Sequence, residues 1–208
     1  MSANLATVRE QIAAAAERAG RSGGEVVIVA AVKYLPVAEL GTLADAGLTT
    51  LGENRAQELV AKAAAWPGRF EWHFIGHLQS RKVKQLVGHA RVIHSVSSDS
   101  ALAQLAHHVD PAREVLIEVN LSGEQSKSGV SPQQLDALLE RSSVRVSGLM
   151  TMPPLAEDPE ASRPYFARLR ELAERHGLAR LSMGTSQDFA VAVEEGATLV
   201  RIGTRLYS

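Results

Sequence analysis

The chain has 208 residues, with 22 basic and 23 acidic side chains, a formal net charge of −1, 45% hydrophobic residues and no cysteine. Near-zero charge with scattered Lys and Arg argues against a protein that works by gripping nucleic acid, because neutralising phosphates takes clustered cations. Without cysteine there is no disulfide framework, zinc–thiolate or iron–sulfur site, and no cysteine nucleophile.

The first segment places Leu5, Val8, Ile12, Ala15, Ala16 and Ala19 at helical spacing and stops at Gly20, which predicts an amphipathic helix over Leu5–Ala19. Arg9, Glu10, Glu17 and Arg18 interrupt it, so it lacks the apolar core of a signal peptide. No other stretch reaches the ~20 apolar residues that span a bilayer. The expectation is a soluble cytoplasmic protein.

An unbroken, largely β-branched run from Val26 to Val32 then suits a strand covered on both faces, as in parallel sheets. The pattern repeats. Strand candidates begin near Val26, Leu48, Glu71, Arg91, Glu114, Val144, Arg180 and Thr198, at spacings of 18 to 36 residues. Helical patterns lie between them at Val37–Ala46, Arg55–Ala65, Ser80–Val87, Ser100–Val109, Pro132–Arg141, Pro159–Arg175 and Gln187–Glu195. Ser131-Pro132 and Asp158-Pro159 read as helix starts, with a capping side chain before a proline. Eight alternating units predict either a closed parallel (β/α)8 TIM barrel or an open doubly wound sheet. The barrel is preferred, as one domain over residues 1–208, because no linker or composition shift divides the chain. The first helix is expected to cover the wall where an eighth helix would sit.

Working residues in such barrels lie at the C-terminal ends of strands. Lys33 follows the first run and shares a face with Val27, Val29 and Ala31. Burial there would depress its pKa and leave an amine able to attack a carbonyl; the alternative is a lysine that only snorkels to the rim. Ser182-Met183-Gly184-Thr185-Ser186 follows strand seven, and Gly203-Thr204 follows strand eight. Small residues, hydroxyls and free helix-start N–H groups in these two loops suit a phosphate. An imine-forming lysine beside a phosphate cradle points to pyridoxal 5′-phosphate. His73 and His77 have i, i+4 spacing, but on a strand they stand ~13 Å apart and cannot share a metal. Arg81, Lys82 and Lys84 read as a solvated helix face, and His107-His108 as exposed residues near a helix end.

Several segments carry a family resemblance: Val32-Lys33, Gly52-Glu53-Asn54 with Gln57-Glu58, Trp72 to Gln79, His94-Ser95-Val96, and Val119-Asn120 with Ser126-Lys127 and Gly129. Gly148 to Thr151, Leu181 to Gly184 with Ser186 and Asp188-Phe189, and Arg201 to Thr204 complete the set. Together they resemble the pyridoxal phosphate homeostasis protein family, also called YggS or PROSC-like, over nearly the whole chain. The resemblance implies a barrel like that of the alanine racemase N-terminal domain, with Lys33 carrying the cofactor as an aldimine. It places the phosphate on Ser182, Ser186, Gly203 and Thr204, Asn54 beside the ring and Arg201 at the ring nitrogen. With His77 and Met150 these form the expected cofactor-binding set; no catalytic residue and no metal is expected.

A guanidinium at the ring nitrogen donates a hydrogen bond but cannot accept the proton of a pyridinium, so the ring is a weak electron sink. A racemase also needs a second acid–base group, which alanine racemases bring as a tyrosine from a further β-domain, and this chain is expected to lack it. The expected role is to hold the cofactor and pass it on, without robust turnover, indirectly affecting amino-acid and keto-acid pools. Partners are the cofactor and pyridoxal phosphate-dependent apo-enzymes as recipients, with no nucleic acid or membrane, and the chain a monomer. Lys127, after strand five, is expected to act as an accessory acceptor in that transfer. The alternatives are a low-activity amino-acid racemase and a barrel enzyme in which Lys33 attacks a phosphorylated carbonyl substrate.

Overall fold

The computed structural model describes residues 1–108, 110 and 113–207. Val109, the expected last residue of the Ser100–Val109 helix, and Ser208 lie outside the described residues. The strands are β1 (Val27–Ala31), β2 (Thr50–Glu53), β3 (Glu71–Phe74), β4 (Ala90–Val96), β5 (Glu114–Glu118), β6 (Val146–Met150), β7 (Arg180–Thr185) and β8 (Leu199–Ile202). All neighbours are parallel, and β8 returns to pair with β1 from Val27–Leu199 to Ala30–Ile202, which closes the barrel and removes the open-sheet alternative.

Seven helices follow β1 to β7 in turn: α2 (Leu40–Asp45), α3 (Ala56–Ala65), α4 (Val83–Leu86), α5 (Asp99–His108), α6 (Pro132–Arg141), α7 (Arg163–Arg175) and α8 (Phe189–Glu194). The expected Pro159–Arg175 helix divides at Ser162. Asp158 accepts from the Glu160 amide at 3.0 Å and caps a 3₁₀ turn, and the α-helix starts only at Arg163, because Pro164 has no N–H to continue an earlier ladder. The same shortening applies to Val37–Ala46 and Ser80–Val87, each of which opens with a 3₁₀ turn.

After β8 comes α9 (Thr204–Tyr207), a single turn too short to cover the wall. That place is taken by α1 (Ser2–Arg18), as the sequence predicts. It buries Leu5, Val8, Ile12, Ala15 and Ala16 against α8 and α9. Arg9 donates to the Gly47 carbonyl at 3.1 Å beyond α2, and Arg18 pairs with Glu194 of α8 at 2.6 Å. Among the described residues no helix is long and apolar enough to cross a membrane.

Two apolar regions result. One fills the space between strands and helices. The other joins Val29, Val92, Leu116 and Leu199 from β1, β4, β5 and β8, with Val27 and Ile75. Side chains from strands that do not adjoin can meet only across the lumen, so this cluster plugs the barrel interior. The barrel also buries polar side chains: His73, His94, Ser182 and Arg201, joined to one another by hydrogen bonds, and Glu118. Truncating a fully packed Ile typically costs about 2–5 kcal/mol. Ile12→Ala is therefore expected to lower unfolding stability in urea by an amount in that range, whereas a helix merely resting on the barrel would lose almost nothing.

Candidate functional site

A cavity of about 590 Å³ opens at the C-terminal ends of the strands. Lys33, Asn54, His77, Met150, Ser186, Arg201, Gly203 and Thr204 line it, together with Glu118, Ser128, Met152 and Leu155. Eight of the nine expected residues thus converge; Ser182 does not reach the cavity. Its hydroxyl is buried beneath, between His94 Nδ1 at 2.7 Å and the Arg201 guanidinium. Its side chain supports the floor, so the loop residues Ser186, Gly203 and Thr204 make up the hydroxyl and backbone cradle at the cavity.

For Lys33 the structure selects the second of the two expected placements, at the rim. Strand alternation does aim it at the mouth, but the side chain is exposed, with Nζ 4.5 Å from the Tyr34 ring centroid rather than sunk in the interior. Its position is fixed indirectly. Glu53 and Lys62 form a buried ion pair at 2.6 Å on the outer side of the barrel. Lys62 Nζ also donates to the Val32 carbonyl at 2.7 Å, one residue before Lys33, and Glu53 Oε1 accepts from the Asn54 and Arg55 amides at 2.7 and 3.2 Å. One pair therefore ties the Lys33-bearing turn to the Asn54-bearing turn. Gly76 of the next strand end lies so close that an added Cβ would strike the Asn54 backbone, which only glycine avoids.

The cradle loops are joined by a hydrogen bond from the Gly203 amide to Ser186 Oγ at 3.1 Å, which leaves the Ser186 proton free to be donated. Asp188 orders the loop after β7: Oδ1 accepts from the Thr185 amide and hydroxyl at 2.7 and 3.0 Å, and Oδ2 from Ser162 at 2.8 Å. Gly184 has φ +90, and a Cβ there would meet Ala192 and Phe189 of α8 at 2.6 and 2.9 Å. With six and four residues, α8 and α9 contribute free N–H groups and little dipole.

Arg201 forms the floor. It is buried, no carboxylate among the described residues pairs with it, and burial lowers its pKa to about 10, so it stays a cation at neutral pH. Nη2 donates to the Thr151 carbonyl at 2.9 Å and lies 2.9 Å from Met152 Sδ. Its bond to Ser182 opens a chain down the barrel axis: Ser182 to His94 Nδ1, His94 Nε2 to His73 Nδ1 at 2.9 Å, and His73 Nε2 to Glu71 at 3.1 Å. The end groups fix its direction. Arg201 can only donate and ionised Glu71 can only accept, so every proton points from the floor toward the opposite face. Both imidazoles are then neutral Nε2–H tautomers. Burial holds both pKa values below the ordinary one, and at His94 the adjoining His73, which could not share a second charge, and the cations Arg201 and Arg180 add to the depression.

Other expected features lie apart. His107 and His108 are exposed on the last turn of α5, and Arg81 is exposed while Lys82 is half-buried. Lys127 pairs with Glu124 at 3.5 Å in a loop organised by Asn120, outside the cavity lining. The sequence reading missed Lys62 and Glu118. Lys62 carried a signal, because it falls on the buried Ala56–Leu59–Lys62 stripe of α3. Glu118 carries a buried Oε2 with no partner among the described residues, while Oε1 accepts from Ser128 at 2.6 Å.

Breaking a buried ion pair by removing one partner typically costs about 3–5 kcal/mol. Lys62→Ala is expected to lose stability on that scale in urea unfolding, and a change below about 1 kcal/mol would show that the pair does not hold the two turns. Histidines with depressed folded pKa values contribute stability that is complete above the unfolded value of about 6.5 and lost on acidification, by at most about 1.4 kcal/mol per pH unit per proton. The thermal midpoint should therefore fall between pH 7 and 5, and His94→Gln should flatten that slope.

The sequence profile of the alanine racemase N-terminal domain family matches residues 3–208. Pyridoxal phosphate homeostasis proteins of Aquifex aeolicus and Pseudomonas aeruginosa are 44% and 40% identical to this chain, covering 98% of it and 95% and 93% of their own lengths. The structure of PipY from Synechococcus elongatus PCC7942 with PLP bound superposes with a TM-score of 0.81 at 30% identity, covering 100% of this chain and 99% of that one. A profile match over residues 3–208 and 44% identity across nearly the whole chain make it a member of the pyridoxal phosphate homeostasis protein family, built on the alanine racemase N-terminal fold.

Proposed function

We propose that the protein binds pyridoxal 5′-phosphate at the barrel mouth and serves as its carrier and buffer. The observation that carries this reading is the convergence in one cavity of a primary amine at Lys33, a two-loop cradle at Ser186, Gly203 and Thr204, and a buried guanidinium at Arg201. The relatives' names and the PLP-bound PipY structure support it.

The residues present fit the group. The cavity volume falls in the range of cofactor sites. Ser186 offers a hydroxyl proton to an anion, Met150 and Ile75 supply apolar lining for a ring, and Asn54 supplies an amide at its edge. The orphaned Glu118 oxygen gives an acceptor to a donor on the ligand.

Bound pyridoxal phosphate supplies an aldehyde that condenses with a primary amine. Lys33 is the amine at the cavity, and its exposure suits attachment that is made and undone. Arg201 is held by Ser182 and Thr151 as a fixed donor, so it offers a ring nitrogen a hydrogen bond while keeping its own proton. That combination favours holding the cofactor over amino-acid carbanion chemistry. Delivery to apo-enzymes, a cytoplasmic setting and a monomeric chain belong to the same proposal.

Borohydride reduction of the protein incubated with pyridoxal phosphate, followed by intact mass and peptide mapping, is expected to place one adduct on Lys33. Lys33→Ala should abolish that adduct and the visible absorbance band. A reduced adduct located elsewhere, or rapid racemisation of alanine by the loaded protein, would overturn the reading.

A further inference from the structure

The opposite end of the barrel carries a second cavity of about 570 Å³, walled by the N-terminal ends of four consecutive strands. Arg91 is the second residue of β4, Arg113 precedes β5, Arg145 precedes β6 and Arg180 opens β7. Their guanidinium groups share the cavity with Glu114, Ser147 and the backbone of Gly177 to Ala179. At ~3.3 Å per strand residue, Arg180 and Thr185 at the two ends of β7 stand about 16 Å apart, so this cavity is separate from the mouth.

Only part of this charge has a structural use. Arg180 makes a two-pronged pair with Glu114 at 2.8 and 3.0 Å, and Ser147 donates to the same carboxylate at 3.2 Å, which staples β5, β6 and β7. Arg113 donates to the Ala90 carbonyl at 2.6 Å, but its Nε–H is buried without a partner among the described residues. Arg91 and Arg145 form no hydrogen bond or ion pair among the described residues, and Arg145 is exposed. The carboxylates whose field reaches Arg91 are already engaged, Glu114 by Arg180 and Glu71 by His73. Four guanidinium groups against two occupied carboxylates leave a net positive cavity, and an orphaned buried donor in its wall. Like charges gathered in a concave site repel each other unless an anion fills it, and planar guanidinium forks match phosphate and carboxylate oxygens in pairs.

We infer that this cavity on the N-terminal face binds a multivalent oxyanion, either a phosphate ester or a di- or tricarboxylate. Arg91, Arg113 and Arg145 supply the donors, and the Arg180–Glu114 pair shapes the wall.

Isothermal titration of the full chain with inorganic phosphate, pyrophosphate and citrate, each at constant ionic strength and both with and without pyridoxal phosphate, tests the inference. Saturable one-to-one binding of at least one probe is expected in both forms, with the visible band unmoved. Phosphate or pyrophosphate outbinding citrate would identify a phosphoryl ligand, and the reverse order a polycarboxylate. The double variant Arg91→Gln/Arg145→Gln should weaken binding at least ten-fold while keeping the thermal midpoint measured without anion; the single exposed change Arg145→Gln, at least three-fold, covers the case in which the double variant misfolds. Absence of saturable binding by all three probes, unchanged affinity in these variants, or binding confined to the cofactor-free protein would overturn it.

Discussion

The structure is organised around one costly placement, a guanidinium kept inside a barrel. Arg201 is almost fully buried and no carboxylate among the described residues pairs with it. Its charge is carried instead by oriented dipoles: the Ser182 hydroxyl, the Thr151 carbonyl and, more remotely, the fields of Asp188 and Glu118. Leaving a buried ion without such partners would cost several kcal/mol. That requirement explains why polar side chains share the barrel interior with an apolar plug, Ser182 against Arg201 and His94 against Ser182.

The consequence for chemistry is a floor that donates and never accepts. The axial chain is polarised from Arg201 to Glu71, so its protons are committed before any ligand arrives. A ring nitrogen placed against this floor meets a fixed hydrogen-bond donor, which suits retention of a cofactor. The mouth is built differently. Lys33 is exposed, Tyr34 and Leu155 are exposed apolar side chains beside it, and the Glu53–Lys62 pair beneath sets the backbone without enclosing the amine. A rigid base under an open rim combines tight orientation with access.

Much of the fold was legible because the rules involved are local. Apolar runs covered on both faces, helices between them at regular spacing, and start signals such as Ser131-Pro132 name a parallel α/β architecture, and the first helix could be assigned to the uncovered wall from the order of elements. The convergence of strand-end residues was legible for the same reason, since alternation and chain order bring Lys33, Asn54, Ser186 and Arg201 to one cavity. The placement of Ser182 was not legible, because its loop neighbours suggest a phosphate while its own strand register turns its side chain inward. Whether Lys33 is sunk or stands at the rim was not legible, because alternation gives direction and not depth.

The amino-acid sequence by itself determined the elements, their order, the barrel class and the rim on which the chemistry gathers, because hydrophobic period, capping and strand alternation act over a few residues. Only the tertiary structure decided that Lys62 reaches Glu53, that Ser182, His94 and His73 line up between Arg201 and Glu71, and that arginines from four separate strand ends share one cavity. Apart from His73 and Glu71, two residues apart on one strand, the partners that pair lie between 9 and 88 residues apart. Which of them meet depends on barrel closure and register, and no spacing rule in the chain carries that information.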